Sequence, residues 1–275
     1  MTKKIIIFAA VFLVAIMSGM AMAGKAITLK GSDTMLMLGQ RWAEVYMQKN
    51  PGTVIQVTGG GSGVGIAALI NGATNICQAS RSMKDSEKQK LRDRYFSLGY
   101  EIPVAKDGVT LYLNEKNQIS ELTLDQIKDI YTGYTTNWSQ LGGPDAKIIV
   151  YGRENSSGTY VFFREVALKN ADYTSSMQSL PGTAAVVNAV AKDVYGIGYG
   201  GAAYAKGVKE VAIKTAKGSF KPTTETVKSG QYPLARSLFW YLQGKPSGDT
   251  KKLVEWVLSP EGQEIVKKVG YFTIK

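Results

Sequence analysis

Three stretches of the chain set glycine beside serine or threonine directly ahead of a helix-like segment. They are Gly31-Ser32-Asp33-Thr34, Gly60-Gly61-Ser62-Gly63 and Gly152-Arg153-Glu154-Asn155-Ser156-Ser157-Gly158-Thr159. Each follows a strand-like run. The first turn of a helix carries unpaired N–H groups and a partial positive charge. Glycine lets a ligand come close to the backbone, and a hydroxyl side chain adds another donor. Such an end holds a tetrahedral oxyanion without a formal countercharge. Several ends meeting at one point would surround its oxygens, and Arg153 could clamp two of them with its fork of N–H groups. One Ser or Thr in this position is commonly only an N-cap, and Gly59 to Gly61 alone can be a tight turn. Three loops of one design, one with an arginine inside it, point to anion binding.

Other chemistries are poorly supplied. The chain has no histidine, so it can build neither a Ser-His-Asp triad nor an ordinary zinc site. Carboxylate or lysine catalysis remains open. There is no Walker-type phosphate loop. Gly63-Val64-Gly65-Ile66-Ala67-Ala68 fits G-x-G-x-x-A, but these glycines serve a turn and close helix packing more simply than a dinucleotide. Gly60-Gly61-Ser62-Gly63-Val64 misses the nucleophile elbow because Val64 stands where a glycine is needed. The reading is a binding protein, not an enzyme, with no metal and no cofactor.

The elements that must position the three loops alternate between strand and helix. Ala26 to Leu29 reads as a strand, and Met35 to Lys49 as a helix with Leu38, Trp42, Val45 and Tyr46 on one face. Thr53 to Val57 and Ile76 to Gln78 read as strands around a helix over Ile66 to Ile70, followed by a charged helix over Lys84 to Phe96. The pattern restarts with strands at Val109 to Leu113 and Lys147 to Tyr151 and helices at Leu124 to Tyr131 and Thr159 to Leu168. A helix over Thr183 to Lys192 and strands at Ile197 to Tyr199, Glu210 to Ile213 and Ala235 to Leu242 follow. Pro246 to Leu258 and Pro260 to Val269 close the chain as helices. Strand, glycine-rich loop, helix and strand in this order imply parallel βαβ units, hence an α/β protein. Trp42, Trp240 and Trp256 are expected in a core, while the place of Trp138 is left open.

Lys3 and Lys4, the apolar run Ile5 to Met20 and the small-x-small pattern Ala21-Met22-Ala23 have the layout of a cleaved signal peptide over residues 1–23. The run is short for a membrane span of ~20 apolar residues. The single cysteine, Cys77, lies among apolar residues and reads as a buried small side chain. Export without an internal disulfide points to a bacterial periplasm. The formal net charge is +11, but the basic residues are scattered and often sit beside acids. No like-charge arm for nucleic acid is present.

At the three loops, at Ala79-Ser80-Arg81, over Leu234 to Leu242 and at Leu258-Ser259-Pro260-Glu261-Gly262-Gln263, the chain resembles the periplasmic phosphate-binding proteins of ABC-type phosphate transporters. These are type II substrate-binding proteins. The resemblance covers Thr28 to about Gly270, and the third loop is its most specific part. It implies a two-lobed α/β fold, each lobe a mixed sheet flanked by helices, with the ligand in the cleft. Lobe 1 would comprise residues 24–106 and 201–275, and lobe 2 residues 107–200. A hinge would run near Ala105 to Gly108 and Tyr199 to Gly201, with Gly108, Gly200 and Gly201 absorbing the backbone change of closure. The partners implied are inorganic phosphate and the permease and ATPase subunits of an importer, with the receptor itself a monomer.

By the family pattern Thr34 and the N–H of Met35 would donate from the first loop and Ser62 from the second. Ser80 and Arg81 would lie beside the anion, and Arg153, Ser157, Gly158 and Thr159 would close on it from lobe 2, with Ser32 and Ser156 as further contacts or caps. Some members carry an acid where Arg81 stands, which accepts the proton of hydrogen phosphate that sulfate lacks. Some carry another acid at the position of Asn155. Here both are absent, which leaves Asp33 as the nearest acceptor, with Glu154 behind it. Selectivity for phosphate over sulfate, molybdate or tungstate therefore stays open, as does a sensing or interaction protein that has given up transport.

Overall fold

The computed structural model of the protein describes residues 26–274; the expected signal segment lies outside the described residues. Strand β1 (Ile27–Gly31) alternates buried and half-buried positions and pairs in parallel with β2 (Ile55–Thr58) and β3 (Ile76–Ala79). Helix α1 (Leu36–Lys49) follows β1 through one turn of 3-10 helix, Asp33–Met35. Helix α2 (Ser62–Ile70) links β2 to β3, and α3 (Asp85–Tyr95) follows β3. The expected parallel βαβ units are therefore present in this half.

Strand β4 (Tyr100–Leu113) is far longer than its apolar end suggested. Its first part pairs antiparallel with β11 (Ala235–Leu242), which also borders β3. Its last residues pair with β8 (Gly196–Gly201) and β9 (Lys209–Thr215). One strand thus belongs to both halves of an 11-stranded curled sheet, in the order β2-β1-β3-β11-β4-β8, then β6 (Ile149–Arg153) and β7 (Gln178–Leu180). Short strands β5 (Glu121–Thr123) and β10 (Gly218–Phe220) flank β9. Neither was legible, because three residues carry no usable alternation.

Helix α4 (Leu124–Thr132) starts on a reciprocal cap: Thr123 Oγ1 accepts from the Gln126 amide at 3.1 Å and Gln126 Oε1 from the Thr123 amide at 2.9 Å. Helices α5 (Gly158–Val166) and α6 (Thr183–Lys192) flank β6 and β8. A short α7 (Thr224–Lys228) precedes β11, and α8 (Gly248–Leu258) and α9 (Pro260–Val269) end the chain. Pro260 opens α9 at a position whose N–H would have no helical partner. Among the described residues no helix is long and apolar enough to cross a membrane.

Two hydrophobic cores flank the crossing strand. The first gathers Leu29, Trp42, Tyr46, Leu238, Trp240, Leu253 and Ile265. Trp42 and Trp240 meet edge to face at 5.4 Å, and Trp42 Nε1 donates to the Gly262 carbonyl at 2.9 Å, tying α1 to α9. Trp256 packs at the edge of this core, half-buried. Cys77 is fully buried in a neighbouring cluster, and burial pushes its thiol pKa up. The second core holds Val109, Ile127, Trp138, Phe163 and Tyr199, and it also takes in Val211, Ile213, Val227, Tyr232 and Leu234. The expected division of the chain at residue 200 puts these last five in lobe 1; their packing is with lobe 2. Trp138 is buried, with Nε1 donating to the Tyr195 carbonyl at 2.9 Å.

The three glycines expected at the hinge all sit in strands, against close neighbours. A Cβ on Gly108 would lie 2.4 Å from Pro222 Cβ, on Gly200 2.6 Å from Tyr112 Oη, and on Gly201 2.9 Å from Asp107 Oδ1. The local reason for glycine here is space.

Candidate anion-binding site

Three helix starts converge where the two cores face each other. The loop after β1 delivers Ser32 and Thr34, the start of α2 delivers Ser62, and the start of α5 delivers Gly158 and Thr159. Ser80 joins them from the end of β3. All four hydroxyls from the first half, Ser32, Thr34, Ser62 and Ser80, are buried, as are Ser157 and Thr159. Ser32 Oγ donates to Ser80 Oγ at 2.9 Å, Ser62 and Ser80 hydroxyls lie 3.3 Å apart, and the Ser80 amide donates to Ser62 Oγ at 3.0 Å. Across the interface, the Thr34 and Thr159 hydroxyls are 2.8 Å apart. The Gly63 amide donates to the Ser156 carbonyl at 2.9 Å, and Ser156 Oγ donates to the Gly60 carbonyl at 3.3 Å. The two halves are closed on each other through these loops.

Each loop geometry has a local cause. Gly61 precedes α2 with φ of 93°, a conformation other residues rarely adopt. Ser157 caps α5 by accepting the amides of Thr159 at 3.1 Å and Tyr160 at 3.3 Å. Gly158 leaves room for the opposing serines: a Cβ there would stand 2.3 Å from Ser62 Oγ and 2.7 Å from Ser80 Oγ. The Met35 amide, expected to face the anion, donates to the Ser32 carbonyl at 3.0 Å and closes the turn. The backbone under Asp33 and Thr34 is fixed by tyrosines: Tyr204 Oη donates to the Asp33 carbonyl at 2.7 Å and Tyr271 Oη to the Thr34 carbonyl. Burial pushes the Tyr204 hydroxyl up to about 12, so it stays protonated and donating.

Two buried guanidinium groups border the hydroxyls. Arg153 donates to Thr183 Oγ1 at 2.9 Å, to Asp33 Oδ2 at 2.8 Å and to Glu154 Oε1 at 2.9 Å. Its bond to Asp33 spans the interface. Arg236 on β11 donates twice to Asp107 Oδ2, at 2.8 and 3.1 Å, and to the Ser80 carbonyl at 3.0 Å. The same guanidinium reaches Thr159 Oγ1 at 3.0 Å and Thr34 Oγ1 at 3.4 Å. It lies over the Phe162 ring, 5.1 Å from its centre.

Arg81 is oriented differently. Its backbone follows Ser80, but its guanidinium is held by Glu87 through two bonds of 2.7 and 2.8 Å and by the Ser82 carbonyl at 2.9 Å. Desolvation opposes the charge on both groups, yet their mutual bonds win: the Glu87 carboxyl is held below its ordinary range and Arg81 is raised. Arg236 and Asp107 take the places next to the hydroxyls. Neither figured among the sequence candidates. A signal existed: Arg236 is a charge inside the apolar run from Leu234 to Leu242, and a charge in a buried strand needs a partner.

Arg153 and Arg236 face three carboxylates, Asp33, Glu154 and Asp107, so paired side chains give the site no net positive charge. What the arrangement offers an anion is the partial positive charge of three helix starts and the hydroxyls gathered beside them. Among the described residues no group of three or more His, Cys, Asp or Glu side chains could hold a metal ion.

Residues 19–261 match the model of the PBP superfamily domain. The phosphate-binding protein PstS of Pseudomonas aeruginosa is 34% identical over 263 residues, spanning 89% of this chain and 81% of that protein. A Clostridium perfringens protein solved with bound phosphate, described as a candidate phosphate ABC transporter substrate-binding protein, superposes with a TM-score of 0.84 at 31% identity. The match covers 91% of this chain and all of that one. An ABC-type phosphate transport receptor from Vibrio cholerae gives 0.73 at 27% identity, over 90% and 99% of the two chains. By sequence and by fold alike, the chain belongs to the PBP superfamily and, within it, to the PstS family of phosphate-binding substrate-binding proteins of ABC transporters.

Proposed function

We propose that the chain captures inorganic phosphate between its two lobes and delivers it to the permease and ATPase subunits of an ABC importer. It acts outside the cytoplasm, as a monomer, without catalysis and without a cofactor. The observation that carries this reading is the convergence of three helix starts, six buried hydroxyls and two guanidinium groups on one point between the lobes. Hydroxyl pairs such as Thr34 with Thr159 exchange each other for the oxygens of the anion. Ser32, Thr34, Ser62, Ser80, Ser157 and Thr159 are the hydroxyl ligands, and Gly158 supplies an amide. Arg153 and Arg236 are the cations. Arg81 stiffens the neighbouring loop through Glu87. Packing supports a lobe 1 of residues 26–106 and 235–274 and a lobe 2 of residues 107–234.

Calorimetric titration of the anion-stripped protein with phosphate, and separately with sulfate, at low salt tests the reading. Tight one-to-one binding of phosphate with weak binding of sulfate is expected. Sulfate alone would move the function to another oxyanion, and no heat with either would point to a sensing or interaction protein. One observation favours the other oxyanions: Arg81 and Asn155 stand where an acid could have accepted the phosphate proton.

A further inference from the structure

Selecting hydrogen phosphate over a fully deprotonated dianion of the same shape needs an acceptor for its one O–H. A carboxylate oxygen with no donor of its own is the strongest such group. Four carboxylates lie on or beside the hydroxyl cluster. Asp33 accepts the Gly60 amide on Oδ1 at 2.9 Å and Arg153 on Oδ2 at 2.8 Å. Glu154 accepts Arg153 on both oxygens, at 2.9 and 3.4 Å. Glu87 accepts Arg81 on both. Asp107 differs: both of its bonds from Arg236 fall on Oδ2, and among the described residues Oδ1 accepts none. Asp107 is almost fully buried, on the strand that crosses between the lobes. The tyrosines around it give it no proton, since Tyr112, Tyr204 and Tyr271 donate to the carbonyls of Gly201, Asp33 and Thr34. The carboxylate faces Gly201 beside Thr34: a Cβ built on Gly201 would stand 2.9 Å from Oδ1, 3.2 Å from Oδ2 and 3.3 Å from the Thr34 methyl.

We infer that Asp107 Oδ1 is the acceptor that reads the proton of hydrogen phosphate, in place of Asp33. The inference rests on the phosphate reading above. Arg236 then has two tasks: it presents its N–H groups toward Thr34 and Thr159, and it fixes the Asp107 carboxylate with one oxygen engaged and the other free. A dianion without a proton meets Oδ1 with like charge and is rejected.

The test compares phosphate, sulfate and monofluorophosphate, which has the shape and charge of hydrogen phosphate but no proton at neutral pH. Affinities are measured by calorimetry for the wild type and for Asp107→Asn, Asp33→Asn and Glu154→Gln. Wild type should prefer phosphate over monofluorophosphate by about ten- to a hundredfold, the range of a hydrogen bond to a charged group. Asp107→Asn should bring that ratio close to one and let sulfate bind, whereas the other two variants should keep it. A merely structural role for Asp107 would weaken all three anions together and leave the ratio unmoved, which overturns the inference. Loss of the ratio in Asp33→Asn or Glu154→Gln overturns it equally and does so even where Asp107→Asn does not fold. Wild type that binds both phosphorus anions alike has no proton reader at all. If wild type binds no phosphate, the functional reading itself has failed.

Discussion

Replacing Gly158 by alanine separates the closing of the two lobes from their folding. Gly158 is the first residue of α5 and has ordinary helical backbone angles, so alanine fits the backbone and stabilises that helix by up to about 1 kcal/mol. The added Cβ, however, points across the interface. It would stand 2.3 Å from Ser62 Oγ, 2.7 Å from Ser80 Oγ and 2.9 Å from Ser62 Cβ. A serine hydroxyl can rotate, but Ser62 Cβ cannot, and Ser62 Oγ is held by the Ser80 amide at 3.0 Å. Relief to ordinary contact requires the start of α5 to retreat by roughly 0.5–1 Å. That stretches the Thr34–Thr159 pair from 2.8 Å and the Gly63–Ser156 bond from 2.9 Å toward the limit of hydrogen bonding. In the bound state, where the anion takes the place of the Thr34–Thr159 bond, the loosened Gly63–Ser156 bond and the loosened contact of Thr159 with the anion, at about 1 kcal/mol each, with strain at Ser62, weaken phosphate binding by about 2–3 kcal/mol, a factor of about 30 to 150. Calorimetric titration measures the affinity and differential scanning calorimetry the melting temperature. Affinity within threefold of wild type would refute the steric argument. A melting temperature lowered by several degrees would show that the Cβ disturbs the fold rather than the closure.

Arg153→Ala removes a charge-assisted ligand and should weaken phosphate binding by about ten- to a hundredfold in the same titration; unchanged affinity would remove Arg153 from the site. Arg236→Met leaves Asp107 buried without its partner, so both affinity and stability should fall. In urea denaturation the double variant Arg236→Met/Asp107→Leu should recover about 2 kcal/mol or more of the summed single losses. Glu87→Gln should cost about 2 kcal/mol at neutral pH, where the Glu87 charge pairs with Arg81. Because folding depresses the Glu87 pKa, that stabilisation is full above the ordinary carboxylate range and is lost as pH falls through the depressed value. The difference in melting temperature between wild type and Glu87→Gln should therefore shrink on acidification.

Apart from α7, whose five residues carry too little periodicity and which was missed, the helices were read within a few residues because periodicity and caps are local: Thr123 with Gln126, and Ser259 with Pro260, announce their helix starts in the sequence. Strand β4 was read only over its apolar end, Val109 to Leu113. Its first half carries Lys106, Asp107 and exposed positions, and it is a strand because β11 lies beside it. Side chains within residues 201–234, a segment expected in lobe 1, pack in the second core for a related reason. Val211 and Ile213 are apolar in either lobe, and only the pairing of β9 with β4 and β5 brings them to the second core; Tyr232 is tied there by its hydroxyl, which donates to the Val109 carbonyl at 2.8 Å.

At the site the boundary between the legible and the illegible follows the range of the interaction. Hydroxyls and glycines ahead of helices could be named one by one, because the N–H groups they complete belong to the next turn of the same segment. Which charge lies beside the hydroxyls could not, because that depends on partners far along the chain. Arg81 turned to Glu87, six residues away, while Arg236 met Asp107, Ser80 and Thr159, residues 77 to 156 positions distant. A buried guanidinium goes wherever folding supplies a carboxylate and carbonyls to satisfy it. The sequence by itself determined that glycines and hydroxyls stand at helix starts; the tertiary structure decided which arginines lie beside them and which carboxylate oxygen is left without a donor.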